Sequence, residues 1–103
     1  MARISYRLEV EDRLAFARAG NEQSEITQDF IDGDGNRLIN MILDETAKFL
    51  VDQLSRHEEM PAVAVAVTDR IVQAHYMLPE QAEAARGIFE TLNLPGLKLV
   101  RLE

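Results

Sequence analysis

The apolar positions of this chain alternate between a helical period and a period of two, and the changes mark its elements. From Leu38 the apolar residues fall at Leu38, Ile39, Ile42, Leu43, Phe49, Leu50 and Leu54, which at about 100° per residue fill one side of a helix. The spacing predicts a helix over Asn36–Glu59, on the order of 30 Å long, enough to cross a domain of this size. Asn36 or Asp34 can cap its start and Pro61 forces its end. Thr46 and Gln53 interrupt the stripe, and each needs a hydrogen-bond partner if buried, because an unpaired buried polar group costs about 1–3 kcal/mol.

Directly after Pro61 the period becomes two. Val63, Val65 and Val67 share one face of the run and Ala62, Ala64 and Ala66 the other, so neither face is polar. A strand apolar on both faces is expected inside a covered sheet, with the long helix on one of those faces.

The flanking segments follow the same logic. Ile4, Tyr6, Leu8 and Val10 alternate with Ser5, Arg7 and Glu9, predicting a strand over Arg3–Val10 with one wet face. Leu14–Arg18 fits either a second strand or a short helix. Asn21 as a cap, Glu22 and Glu25 in the first turns, and Ile26 with Phe30 four apart predict a short helix ending at Gly33. Asp32-Gly33-Asp34-Gly35-Asn36 and Thr68-Asp69-Arg70 predict turns. Ile71–Met77 fits strand or helix by pattern and reads best as the hairpin partner of the valine run. Pro79 opens a helix whose stripe is Ala82, Ala85, Ile88, Phe89 and Leu92, and Pro95-Gly96 leads into a strand over Leu97–Leu102.

These elements make residues 1–103 a single α+β domain. The expected form is a two-layer sandwich: a mixed sheet of four to five strands, with two or three helices on one face including one long central helix. A ferredoxin-like order becomes one option if Leu14–Arg18 is not a strand. The two ends also echo one another. Tyr6, Leu8 and Val10 align with Val63, Val65 and Val67, Asp12-Arg13-Leu14 with Asp69-Arg70-Ile71, and Arg37, Leu38 and Ile39 with Lys98, Leu99 and Val100. As an internal repeat this gives two strand-turn-strand-helix units and makes residues 37–39 strand. As a coincidence it is two amphipathic hairpins that look alike.

At 103 residues the chain buries enough surface for one core without staples. It has no cysteine, which removes disulfides, thiolate metal sites and thiol nucleophiles. No run approaches the length of a membrane span and the first residues lack the apolar core of a signal peptide, so a cytoplasmic protein without membrane contact is expected.

Charge changes the picture more. The net charge of −7 arises between Asn21 and Met60, where ten acids face Arg37, Lys48 and Arg56. Such a field disfavours direct nucleic-acid binding and favours a basic protein partner.

Candidate chemistry is sparse. Asp32, Asp34 and Asn36 occupy the first, third and fifth positions of a calcium loop, but Arg37 stands where the loop needs glycine and Leu43 where it needs a closing glutamate. An ordinary helix-capping turn is the better reading. His57 with Glu58 and Glu59, and His75 apart from them, lack metal-ligand spacing; His57 is expected to continue the helix stripe, near a C-terminus that favours its charge. No phosphate loop, nucleophile elbow or paired-carboxylate motif is present.

The reading favoured on these grounds is a small acidic regulatory or adaptor protein, not an enzyme, acting through protein–protein contacts without cofactor or metal. Its partner would carry a basic surface, met by Asp44, Glu45, Asp52, Glu58 and Glu59. A homodimer is expected because Met41 and Val51 lie outside the helix stripe and the six-residue apolar strand would need cover near a sheet edge. One alternative is a small enzyme or small-molecule-binding domain with a site near Asp69, Arg70 and His75. Another is an acidic nucleic-acid mimic that inhibits a basic partner.

Overall fold

The computed structural model describes residues 1–20 and 25–103, so Asn21 and Glu22, the expected cap and first turn of a helix, lie outside the described residues. Four strands, β1 (Ala2–Val10), β2 (Ala64–Thr68), β3 (Ile71–Tyr76) and β4 (Leu97–Arg101), form one sheet in the order β2-β3-β1-β4. Among the described residues four helices, α1 (Arg13–Gly20), α2 (Gln28–Gly33), α3 (Gly35–Ser55) and α4 (Pro79–Glu90), join them. The fold is two-layer α+β, with a sheet that is antiparallel at all three of its pairings rather than mixed. Taking α1–α3 as one crossover, the connectivity is the β-α-β-β-α-β of the ferredoxin-like arrangement: β1 and β2 run parallel with β3 between them, and β3 and β4 run parallel with β1 between them.

β1 and β3 are the two interior strands. Ile4, Tyr6 and Leu8 are buried against the helical layer, opposite Ala74, Val72 and Leu99 in register. Tyr6 stacks on Phe89 of α4, with ring centroids 4.3 Å apart and 14° between the planes, an arrangement worth about 0.5–1.5 kcal/mol beyond its buried area.

The ambiguity over Leu14–Arg18 resolves as helix because Asp12 caps it. The Asp12 carboxylate accepts from the Ala15 N–H at 3.1 Å and its carbonyl from the Phe16 N–H at 3.0 Å, and Phe16 and Ala17 turn inward. The repeat fails here. Asp12-Arg13 opens a helix whereas Asp69-Arg70 closes a hairpin, and residues 37–39 belong to α3. The likeness was local turn chemistry.

The turn expected over Asp32–Asn36 shrinks to one residue, Asp34, between α2 and α3. Thr27 caps α2 through its Oγ1, which accepts from the Phe30 N–H at 3.2 Å. Gly35 starts α3 against the Ile31 side chain, where a Cβ would lie 3.0 Å from Cδ1. Asn36 caps nothing; its Oδ1 accepts from Arg13 at 2.7 Å and ties α1 to α3.

α3 ends at Ser55, short of the expected Glu59. His57 leaves the stripe because its Nδ1 accepts from the N–H groups of Glu59 (3.2 Å) and Met60 (3.3 Å). That side-chain turn competes with the helix before Pro61 is reached. The Ala62 N–H then donates to the Leu54 carbonyl at 2.9 Å and sends the chain back beneath α3. Buried Thr46 is satisfied by donating to the Ile42 carbonyl at 2.8 Å, whereas Gln53 lies in solvent.

The valine run is where the sequence expectation is overturned. β2 is an edge strand, not an interior one. Among the described residues the helices cover one face of the sheet; Ala64 and Ala66 on the other face are exposed, and Val63 and Val67 are half exposed on the helical side. Alanine loses little by exposure, which lets an apolar strand sit where a leucine-rich one would not.

Candidate protein-binding surface on α3 and β2

α3 buries Ile39, Ile42, Leu43, Leu50 and Leu54 and turns a broad face outward. Residues four apart stack along a helix, so that face carries two rows. One is Met41–Glu45–Phe49: a carboxylate between two apolar side chains, each 51% exposed. Phe49, expected in the core stripe, belongs to this row. The other is Asp44–Lys48–Asp52–Arg56, in which the charge alternates in sign at every step and Arg56 meets Asp52 at 3.0 Å.

The five acids proposed from sequence are therefore divided. Asp44 and Asp52 sit in the alternating row, which lines a groove of about 580 Å³ between α3 and Val67 of β2, together with Ala47, Val51 and Ser55. Glu45 stands on the crown between Met41 and Phe49. Glu58 and Glu59 lie beyond the end of α3, on the bend held by His57. Among the described residues no cation lies within ion-pair distance of Glu45, Glu58 or Glu59. Lys48 and Arg56 are the members of this surface that sequence reasoning passed over. Their signal was the spacing of four with alternating sign.

The other flank of α3 carries a second cleft, of about 350 Å³, in which Phe16, Ile42, Phe49, Leu92 and Leu94 are joined by Glu45 and Thr46. Its walls are nearly all apolar, and no cluster of titratable groups converges in it.

Asp69, Arg70 and His75 are not brought together. Asp69 and Arg70 are the two central residues of the β2–β3 hairpin, both at positive φ (50° and 66°), the geometry of a type I′ turn. Arg70 hydrogen-bonds Asn40 of α3 through its guanidinium, and its carbonyl accepts from the Leu8 N–H at 2.8 Å. His75 stands four residues beyond Ile71, roughly 13 Å along β3 at the rise of an extended chain, opposite Arg3 and Ala64. The hollow beside Asp69, about 140 Å³, includes neither Arg70 nor His75. Asp32 and Asp34 gain no further ligands, and no three carboxylate or imidazole side chains converge among the described residues.

Among the described residues the buried charged side chain is Arg86, across the molecule on α4. Arg86, with 8% of its side chain exposed, meets Glu83 at 2.9 Å and Glu103 at 2.7 Å, and donates to the Tyr6 hydroxyl at 3.4 Å. Tyr6 in turn donates to Glu90 at 3.2 Å. Burial works against the charge on Arg86, but the hydrogen bonds to Glu83, Tyr6 and Glu103 and the Glu103 charge outweigh it and raise its pKa. The hydrogen bond from Arg86 holds the Glu83 carboxyl below its usual range. The second Glu103 oxygen accepts from the Ser5 N–H at 2.9 Å. This cluster fastens the chain after β4 to β1 and α4. It is filled by its own members, which makes it a structural clasp.

Among the described residues no helix is long and apolar enough to cross a membrane. Comparison with protein-family models, with curated proteins and with solved structures returns no match.

Proposed function

We propose that this protein is a non-catalytic regulatory or adaptor module that works by protein–protein contact through the outer face of α3. The observation that carries this reading is the Met41–Glu45–Phe49 row. A solvating helix face does not need two half-exposed apolar side chains, and Met and aromatic residues are the types enriched in protein interfaces. An acid between them, with Glu58 and Glu59 without an ion pair among the described residues further along, fits a partner that offers Arg or Lys beside an apolar contact. The ten acids of residues 21–60 then steer that basic partner towards the face.

The test is capture of partners from the protein's own cell extract, followed by measured affinities for Phe49→Ala and for Glu45→Lys. Phe49→Ala should weaken binding about tenfold or more, as expected for an interface anchor. Glu45→Lys should slow association and flatten its dependence on salt above about 0.15 M. Affinity and association rate unchanged in both variants would reduce the crown of α3 to a solvated surface.

A further inference from the structure

We infer that a second copy of this chain pairs with the exposed edge of β2 across a two-fold axis, extending the sheet to eight strands and laying the two α3 helices side by side. The inference rests on the reading of this protein as one that acts by protein contact, and it concerns a different surface from the Met41–Glu45–Phe49 crown.

Three observations converge on this flank. The first is the edge itself. From Pro61 to Thr68 the chain carries no charge, and among the described residues no strand pairs with the outer side of β2. Edge strands are ordinarily blunted by Lys, Pro or a covering element. Here Pro61 stands outside the paired strand, and Val63 and Val67 are 52% and 43% exposed.

The second is the charge row on α3. In an antiparallel arrangement about a two-fold axis through Leu50, Asp44 of one copy faces Arg56 of the other and Lys48 faces Asp52. Both pairings share the same centre, and symmetry repeats each of them, giving four opposite-sign contacts. A row alternating Asp, Lys, Asp, Arg at steps of four is complementary to itself when reversed, which is what an isologous interface requires. Shifted by one helical turn, it would place like charges opposite.

The third is the geometry that lets both pairings occur at once. The Ala62 N–H donates to the Leu54 carbonyl and Arg70 binds Asn40, so β2 runs antiparallel to α3 and the middle of one lies near the middle of the other. α3 packs over β2 and β3. Two β2 edges paired at about 4.8 Å would then hold the α3 axes about 10 Å apart, a normal helix-packing distance. The groove lined by Val51, Ser55 and Val67 would close against its own counterpart.

Sedimentation equilibrium of the full chain between about 1 and 100 µM tests this. The mass should rise towards twice 11.7 kDa. Val67→Lys, which plants a charge on the edge, should return the monomer mass. Lys48→Asp should weaken dimerisation about tenfold or more, and Lys48→Asp with Asp52→Lys should recover the original constant to within about threefold, since only the sum of both changes restores opposite signs. All three substitutions lie at exposed positions; far-UV circular dichroism verifies the fold, and the charge pair remains decisive should Val67→Lys unfold. A monomer at 100 µM, a dimer indifferent to Val67→Lys, or no recovery in the double variant would overturn the inference. Phe49→Ala and Glu45→Lys should leave the mass unchanged, which separates a failure here from a failure of partner binding at the α3 crown.

Discussion

Val67 and Val72 face one another across the β2–β3 ladder, yet Val72 is fully buried and Val67 keeps 43% of its surface exposed. One strand's width separates the centre of the sheet from its rim. Val72→Ala should therefore destabilise the monomer by about 2 kcal/mol, the transfer term plus a cavity, while Val67→Ala should change it by less than about 0.5 kcal/mol. Urea titrations at a protein concentration low enough to keep the chain monomeric would measure both.

That pair also explains what the sequence could and could not reveal. Alternation along Ile4–Val10 and the stripes of α3 and α4 were legible because each element buries one face, and burial of one face imposes a period. The position of the valine run was not legible, because a strand apolar on both faces is compatible with an interior place and equally with an edge whose outer face is alanine. The end of α3 was hidden for another reason. His57 ends the helix by accepting, at its ring Nδ1, the backbone N–H groups two and three residues on, an interaction with no apolar period. At the candidate surface Asp44, Glu45, Asp52, Glu58 and Glu59 were visible as an acidic excess, but their division into an alternating row, an apolar-flanked crown and a bend depends on helix phase and helix end together.

Gly96 fixes the entry to β4. Its φ of +75° is open to glycine at little cost, and an added Cβ would collide with the Asp12 carbonyl and lie 2.8 Å from the Phe16 nitrogen. Its own carbonyl accepts from the N–H groups of Glu11 (2.8 Å) and Asp12 (3.2 Å). Gly96→Ala is expected to cost more than about 1 kcal/mol through φ alone, with the collision added. Gly33→Ala, where nothing lies within 4 Å, is the control and should be neutral or stabilising in the same thermal melts.

Tyr76 is buried to 0% exposure, and its hydroxyl has no hydrogen-bond partner among the described residues. Burial pushes its pKa up. Removing the hydroxyl removes a desolvated group that nothing compensates, so Tyr76→Phe should stabilise the protein by about 1 kcal/mol or more. A loss of stability in equilibrium unfolding would mean that the hydroxyl is satisfied in solution.

Paired edges would make β2 and its α3 flank a covered surface in solution. Backbone amide hydrogen exchange across β2, followed at about 1 µM and about 100 µM, tests it most directly, because exchange reports whether an edge amide has found an acceptor. If two edges pair, the β2 amides that point away from β3 should gain protection at the higher concentration and lose it on dilution or in Val67→Lys, while β1 amides stay protected throughout. Rapid exchange of those β2 amides at both concentrations would mean that the edge stays open and that no second copy pairs with it.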